Sequence, residues 1–310
     1  MRHLTFILFT LALLASASFS CSDGPRTANA NTSDVTNTSP DLSRESLAST
    51  APNWSTRTFV FKNMRQDDIW VGAQNIPNSG WFIPAGDSTT ISVDGDAASI
   101  AIWAGVGCDS NGNNCLSGGK NAPEPPVSVI EFTLHSTGSQ VDFFDLSFVS
   151  GWNAGIGVEP FGPGVNCDSW GCASPIDTTT VPPELIKRND QGKIVGVFSI
   201  CKALSDVDQV SAFTHLQNIQ TDKELVCCDC GCGAGCNCDN PNSKFCCSPF
   251  ASSLPQNHGG ICDETTWPKA STGVDYPSVF KNYCSAAYSW PFDDLTSTLR
   301  CRSNYRLLFF

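Results

Sequence analysis

Basic residues are scarce in this chain of 310 residues. Lys and Arg together number 18 against 30 Asp and Glu, a formal net charge of −12. A surface of that sign repels phosphate backbones and anionic headgroups, so nucleic acid and acidic membranes are disfavoured as partners. Histidine is scarcer still. His3, His135, His215 and His258 lie far apart, the first in the N-terminal leader and the last beside Gly259-Gly260, where it reads as a turn residue. No H-E-x-x-H, G-x-S-x-G or phosphate-binding glycine loop occurs, which removes those zinc, serine-hydrolase and nucleotide chemistries; no cofactor and no metal ligand set is read. Internal repeats are absent. So is any second apolar run of membrane length after Leu4–Ala15, which follows Arg2 and His3 and precedes small residues. Residues 1–20 therefore read as a secretory signal peptide, too short to span a bilayer, with cleavage near Ala17 or Ser20. Lipidation of Cys21 is the alternative, although Ser18-Phe19-Ser20 matches that motif poorly.

Residues 21–56 are Ser, Thr, Asn, Asp and Pro with almost no large apolar side chain, and are expected to be a disordered linker. They carry N-x-S/T sequons at Asn31, Asn37 and Asn53. What the chain has in abundance is cysteine: seventeen, behind a leader, which imply disulfides formed in an oxidising compartment and an extracellular or cell-wall destination. From residue 57 onward, short stretches of β-formers recur between Gly, Pro, Asn and Asp turns: Arg57–Phe61, Ile69–Val71, Ser88–Val93, Ser99–Trp103, Val129–Leu134, Asp142–Val149, Thr296–Arg300 and Arg306–Phe310. That spacing predicts an all-β sandwich. One helix is expected, from Val207, Val210, Phe213, Leu216 and Ile219 at three-residue spacing, with Ser205 and Asp208 as a capping pair.

Several separated motifs stand in a telling order: Glu131-Phe-Thr-Leu134, Asp142-Phe-Phe-Asp145-Leu-Ser147, Gly151-Trp-Asn153, and the run from Tyr276 to Tyr305 with its Pro291-Phe-Asp-Asp294 and Ser297-Thr-Leu-Arg-Cys301. Over residues 57–310 the chain resembles the thaumatin-like proteins of the pathogenesis-related type. The resemblance implies a β-sandwich (57–107, 127–172 and 285–310), a small loop region (108–126), and a disulfide-rich second lobe (173–284) containing a short helix and an insertion over 205–245. It implies the bridges Cys108–Cys115, Cys167–Cys301, Cys172–Cys284, Cys201–Cys246 and Cys247–Cys262. Three bridges of the family are missing with both partners: Met64 and Phe310 stand for one, Val181 and Val197 for another, and Ser117–Pro126 carries no cysteine for the third. Six further cysteines, Cys227, Cys228, Cys230, Cys232, Cys236 and Cys238, crowd the insertion. Three local disulfides are the expectation in an oxidising compartment, and a thiolate metal cluster is the alternative.

Defence-type members of the family bear an acidic cleft associated with β-1,3-glucan. Matched residue by residue, the resemblance places Glu131, Asp145 and Asp293 in that cleft as candidate catalytic carboxylates, with Phe143, Phe144 and Trp152 nearby as candidate ligand-binding rings. The family's Arg is Ala101 here, and its middle Asp is Ser150. Hydrolysis needs two carboxyl groups with separated pKa values. Losing a cation and a water-activating carboxylate weakens that requirement more than it weakens binding. The leading expectation is a monomeric, secreted protein recognising polysaccharide of β-1,3-glucan type, in antifungal defence or wall remodelling. The alternatives are a weak endo-β-1,3-glucanase and a cysteine-rich extracellular protein that binds metal or another protein. Solvated surface carboxylates, left over from the fold, are the bland reading of the same three acids.

Overall fold

A computed structural model of the chain describes residues 53–138, 140–162, 165–227, 267–291 and 293–310. Eleven of its strands form two sheets. One has the order β4-β1-β13-β8-β9, with β1 at Thr56–Asn63, β4 at Ser88–Asp94, β8 at Ile156–Phe161, β9 at Trp170–Cys172 and β13 at Asn304–Phe309. The other has the order β12-β7-β6-β5-β2-β3, with β2 at Ile69–Gln74, β3 at Trp81–Ile83, β5 at Ile100–Val106, β6 at Val129–Thr133, β7 at Asp142–Ser147 and β12 at Leu299–Cys301. All pairings are antiparallel except β1 with β13, where the first strand lies parallel to the last. No helix among the described residues is long and apolar enough to cross a membrane.

Alternation along the strands builds the core. In β1, Arg57, Phe59, Phe61 and Asn63 point inward while their neighbours point out. Phe59, Phe132, Phe144 and Tyr305 meet between the sheets, with Phe132 stacked on Phe144 at 5.4 Å and tilted against Phe59 at 4.9 Å. The inward row ends in buried polar side chains, and each is satisfied. Arg57 donates to both oxygens of Asp142, at 3.0 Å from Nε and 2.9 Å from Nη2, and to the carbonyls of His135 and Trp54. Asp142 also accepts the His135 N–H at 2.9 Å. The Tyr305 hydroxyl stands 2.8 Å from Asp142 and 2.7 Å from the Cys301 carbonyl. Burial, and then the Asp142 charge, raise the Tyr305 pKa. Asn63 at the other end gives its amide to the carbonyls of Asp67, Ile83 and Pro84.

The smaller lobe carries a hairpin, β10 at Ile186–Arg188 with β11 at Ile194–Val197, and short helices: α1 at Ile200–Ser205, α2 at Ile219–Val226 and α3 at Tyr276–Tyr283. Phe280 of α3 stacks on Phe148 at 5.6 Å, fastening this helix to the sandwich. Disulfides Cys108–Cys115, Cys167–Cys301 and Cys172–Cys284 are formed as the family resemblance implies. Val181 and Val197 are both buried in the main core, so apolar contact stands where a bridge is missing. Met64 and the C-terminal strand remain close, with the Met64 N–H donating to the Phe309 carbonyl at 2.7 Å.

Three expectations are corrected. Cys201 pairs with Cys227, not Cys246, because α1 and α2 pack side by side and bring those two sulfurs together. Cys227 therefore leaves the cluster expected to pair within the insertion. Cys228, Cys230, Cys232, Cys236, Cys238, Cys246 and the Cys247–Cys262 bridge lie outside the described residues. No helix runs from Val207 to Ile219. The segment holds turns and a single 3₁₀ turn at Val210–Ala212, whose period is the three-residue spacing seen in sequence; Val207 is 86% exposed while Phe213 is buried. Ser205 closes α1, with its hydroxyl donating to the Cys201 carbonyl, and it is Asp206 that accepts the N–H groups of Asp208 and Gln209. Finally, Thr296 and Ser297 belong to a helical turn, α4 at Asp294–Ser297, and the strand begins only at Leu299.

Candidate functional site

Strand register, which sequence motifs do not specify, assembles the candidate site. Gln74, Ala101, Glu131 and Asp145 are successive cross-strand partners on β2, β5, β6 and β7. Directly opposed residues have Cβ atoms roughly 4.5–5.5 Å apart and share a face, so these four form one row across the sheet. The face is the outward one, because Asp142, Phe144 and Leu146 of β7 are buried while Phe143 and Asp145 alternate with them. On one side of the row lie Thr133, Phe143 and Arg300, also register partners, with the Arg300 guanidinium 4.9 Å above the Phe143 ring. On the other side lie Trp103, Val129 and Ser147. There Ala101, Trp103, Val127 and Val129 make a small second core, and the Trp103 indole donates to the Gly119 carbonyl at 3.1 Å. The loop after Cys115 thus walls the face on that side.

Glu131 has solvent access by area yet is crowded by surrounding protein. That crowding, a desolvation, raises its pKa. Asp145 is half-buried beside it. The position that would have presented a cation to the pair is Ala101, itself 9% exposed.

The other nominated residues are placed differently. Asp293 is buried, ion-paired with Lys281, and accepts the Ser289 N–H at 3.1 Å and the Thr296 hydroxyl at 2.7 Å. Lys281 also donates to the Ala287 carbonyl at 2.8 Å and to Thr296 and Ser297. This node folds the chain from α3 to α4 and explains why Thr296 and Ser297 are helical. Phe144 is 1% exposed and lies on the core face, opposite to Asp145; period-two alternation removes it from any ligand on the acidic side. Trp152 is half-buried, with its indole 3.3 Å from the Tyr283 hydroxyl and its backbone paired to Val197. It lines a pocket with Val106, which lies five residues along β5 from Ala101, roughly 17 Å of strand. Glu131, Asp145 and Phe143 are thus brought together, while Asp293, Phe144 and Trp152 serve other contacts. Gln74 and Arg300 complete the face and were not singled out in sequence. Outward alternation on β2 and β12 is the signal that could have found them.

Two stacked sheets, stapled by disulfides and carrying a smaller lobe of a hairpin and short helices, define an all-β sandwich protein. The chain belongs to the thaumatin family, whose model matches residues 63–310. It is 28% identical over 266 residues to "Pathogenesis-related protein 5" of Arabidopsis thaliana, covering 81% of this chain and 89% of that one. It is 26% identical over 222 residues to the "Glucan endo-1,3-beta-glucosidase" of Prunus avium, covering 67% and 69% of the two chains. Among solved structures it is similar to a laminaripentaose-producing β-1,3-glucanase in complex with laminaritetraose. There the TM-score is 0.46 and the identity 12%, over 82% of this chain and 98% of that one.

Proposed function

We propose that this protein recognises cell-wall polysaccharide of β-1,3-glucan type through the outward face bearing Glu131 and Asp145, as a secreted wall-active protein in defence or remodelling. The observation that carries the reading is the direct register of Glu131 with Asp145 on an outward sheet face. Two carboxyl groups side by side supply acceptors for sugar hydroxyls, and the Phe143 ring with Arg300 above it borders them with an apolar and a donor surface. Family membership and a relative named as a glucan endo-1,3-β-glucosidase support the polymer class.

A second reading, weak endo-β-1,3-glucanase, is favoured by one observation. The raised pKa of Glu131 beside a second carboxyl group is the asymmetry a general acid and its partner require. One experiment addresses both. Wild-type protein should co-sediment with insoluble β-1,3-glucan and the Glu131→Gln, Asp145→Asn double variant should not; equal pull-down would remove this face from glycan recognition. Reducing ends released from soluble β-1,3-glucan by wild type but not by Glu131→Gln would move the reading from binding to hydrolysis.

A further inference from the structure

The sandwich and the smaller lobe border an open concavity of about 280 Å³ at the far end of β5 from the acidic row. Its apolar walls are Val106, Leu116 and Phe310 from the sandwich side and Ile194 and Val195 from the hairpin, with Trp152 between them. Leu116, at its rim, is one of three large apolar side chains that are exposed among the described residues, at 41%. Exposed apolar surface that borders a concavity marks a contact surface more often than isolated exposure does.

The floor is preorganised. Asn153, buried, accepts the Ser128 N–H at 3.0 Å and donates to the Ala104 carbonyl at 2.9 Å and to Ser117 Oγ at 3.3 Å. Ser117 is 8% exposed and its oxygen is used as an acceptor, so its own proton is left over; among the described residues it has no acceptor. Charged side chains line the mouth. Arg65 and Asp67 neutralise each other through two bonds, at 2.8 and 3.1 Å, and Arg65 also donates to the Phe310 carbonyl. Lys193 lines the same pocket, is exposed, and its ammonium has no acceptor among the described residues.

We infer that this pocket binds a small aromatic anion, a one- or two-ring body with a single carboxylate or sulfonate. Size sets the body: a dry cavity of roughly 150 Å³ holds one benzene ring, so the present volume takes two. Trp152 and Phe310 supply aromatic walls, Lys193 supplies the counter-charge, and the Ser117 hydroxyl supplies a directed donor. The position between sandwich and hairpin gives such a ligand contacts with both, so its occupancy ties the hairpin to the sandwich. The inference is independent of glycan recognition, which uses the opposite end of the sheet.

The test is calorimetric titration of the purified full chain with 2-naphthoate and, as its uncharged counterpart, 2-naphthylmethanol. Saturable one-to-one binding of 2-naphthoate is expected, with Kd below about 1 mM, a modest value for a ligand of this size. A single exposed ion pair makes the alcohol weaker by about two- to five-fold, and Lys193→Gln should abolish that difference. Leu116→Asp, at an exposed position that leaves the fold intact, should weaken 2-naphthoate by about tenfold or more through lost apolar contact and a like charge. Absence of saturable binding, or both variants binding as wild type does, would overturn the inference.

Discussion

Replacing Asp142 by Ala tests what holds the two sheets in register. Asp142 and Arg57 are both fully buried, and the carboxylate accepts four hydrogen bonds: two from Arg57, one from the His135 N–H and one from the Tyr305 hydroxyl. Removing the acceptor leaves a buried guanidinium with only the carbonyls of Trp54 and His135, and an orphaned backbone N–H. Breaking a buried pair on one side costs about 3–5 kcal/mol. For a domain of this size, where Tm moves about 2–4 °C per kcal/mol, the loss corresponds to a fall of roughly 6–20 °C. Urea denaturation with disulfides intact reads the same quantity through the midpoint at unchanged slope. The control is Glu159→Ala, which removes the partner of Arg306 in a pair exposed at 44% and 37%; an exposed pair of that kind is worth at most about 1 kcal/mol. The paired change Arg57→Met with Asp142→Leu should recover most of the loss, since no buried charge is stranded. A cost below about 1 kcal/mol for Asp142→Ala, or one matched by Glu159→Ala, would refute the argument from burial.

Three further outcomes follow from the same contacts. Asp293→Asn should lower stability by about 1–3 kcal/mol, because a buried acceptor of three groups loses its charge beside Lys281. Its glucan pull-down in the folded state should match wild type, and a folded but non-binding variant would place Asp293 in the site. A carboxyl group whose folded pKa is raised binds its proton more tightly in the folded state. Its contribution is therefore favourable below the unfolded value and is lost as pH rises toward the folded one. Glu131→Gln should accordingly raise Tm at pH 7 and leave it nearly unchanged at pH 3, and the reverse order in thermal melts would contradict the desolvation of Glu131. Non-reducing peptide mapping should recover Cys201 joined to Cys227, and a Cys201–Cys246 peptide would restore the family-type pairing. Removing both of those cysteines should cost up to about 3–4 kcal/mol by loop entropy for a separation of 26 residues.

Sequence by itself determined much of the local structure. Period-two alternation in Arg57–Phe61 foretold which of its side chains enter the core, because successive residues of a strand must face opposite ways. The separated motifs around Glu131, Asp145 and Tyr276–Tyr305 identified the family, and the abundance of cysteine announced disulfides. Three-residue spacing at Val207–Ile219 misled, since apolar periodicity cannot distinguish a helix from turns that happen to bury one ring, Phe213. Thr296 and Ser297 looked like strand formers, but side-chain bonds to Asp293 and Lys281 outweighed their propensity.

Only the tertiary structure decided who meets whom. Gln74, Ala101, Glu131 and Asp145 are spread over four strands, and a one-residue slip of any strand would turn its member inward. Adjacency in sequence made Phe144 look like a companion of Asp145, and strand alternation sends it to the opposite face. Cys201 could have closed onto any of many sulfurs, and the packing of α1 on α2 selected Cys227. Arg57 and Asp142, 85 residues apart, read in sequence as ordinary strand residues until the stacking of the sheets placed one against the other. Chain-local sterics determine which way a side chain points, whereas its partner depends on contacts that form only when distant segments are brought together.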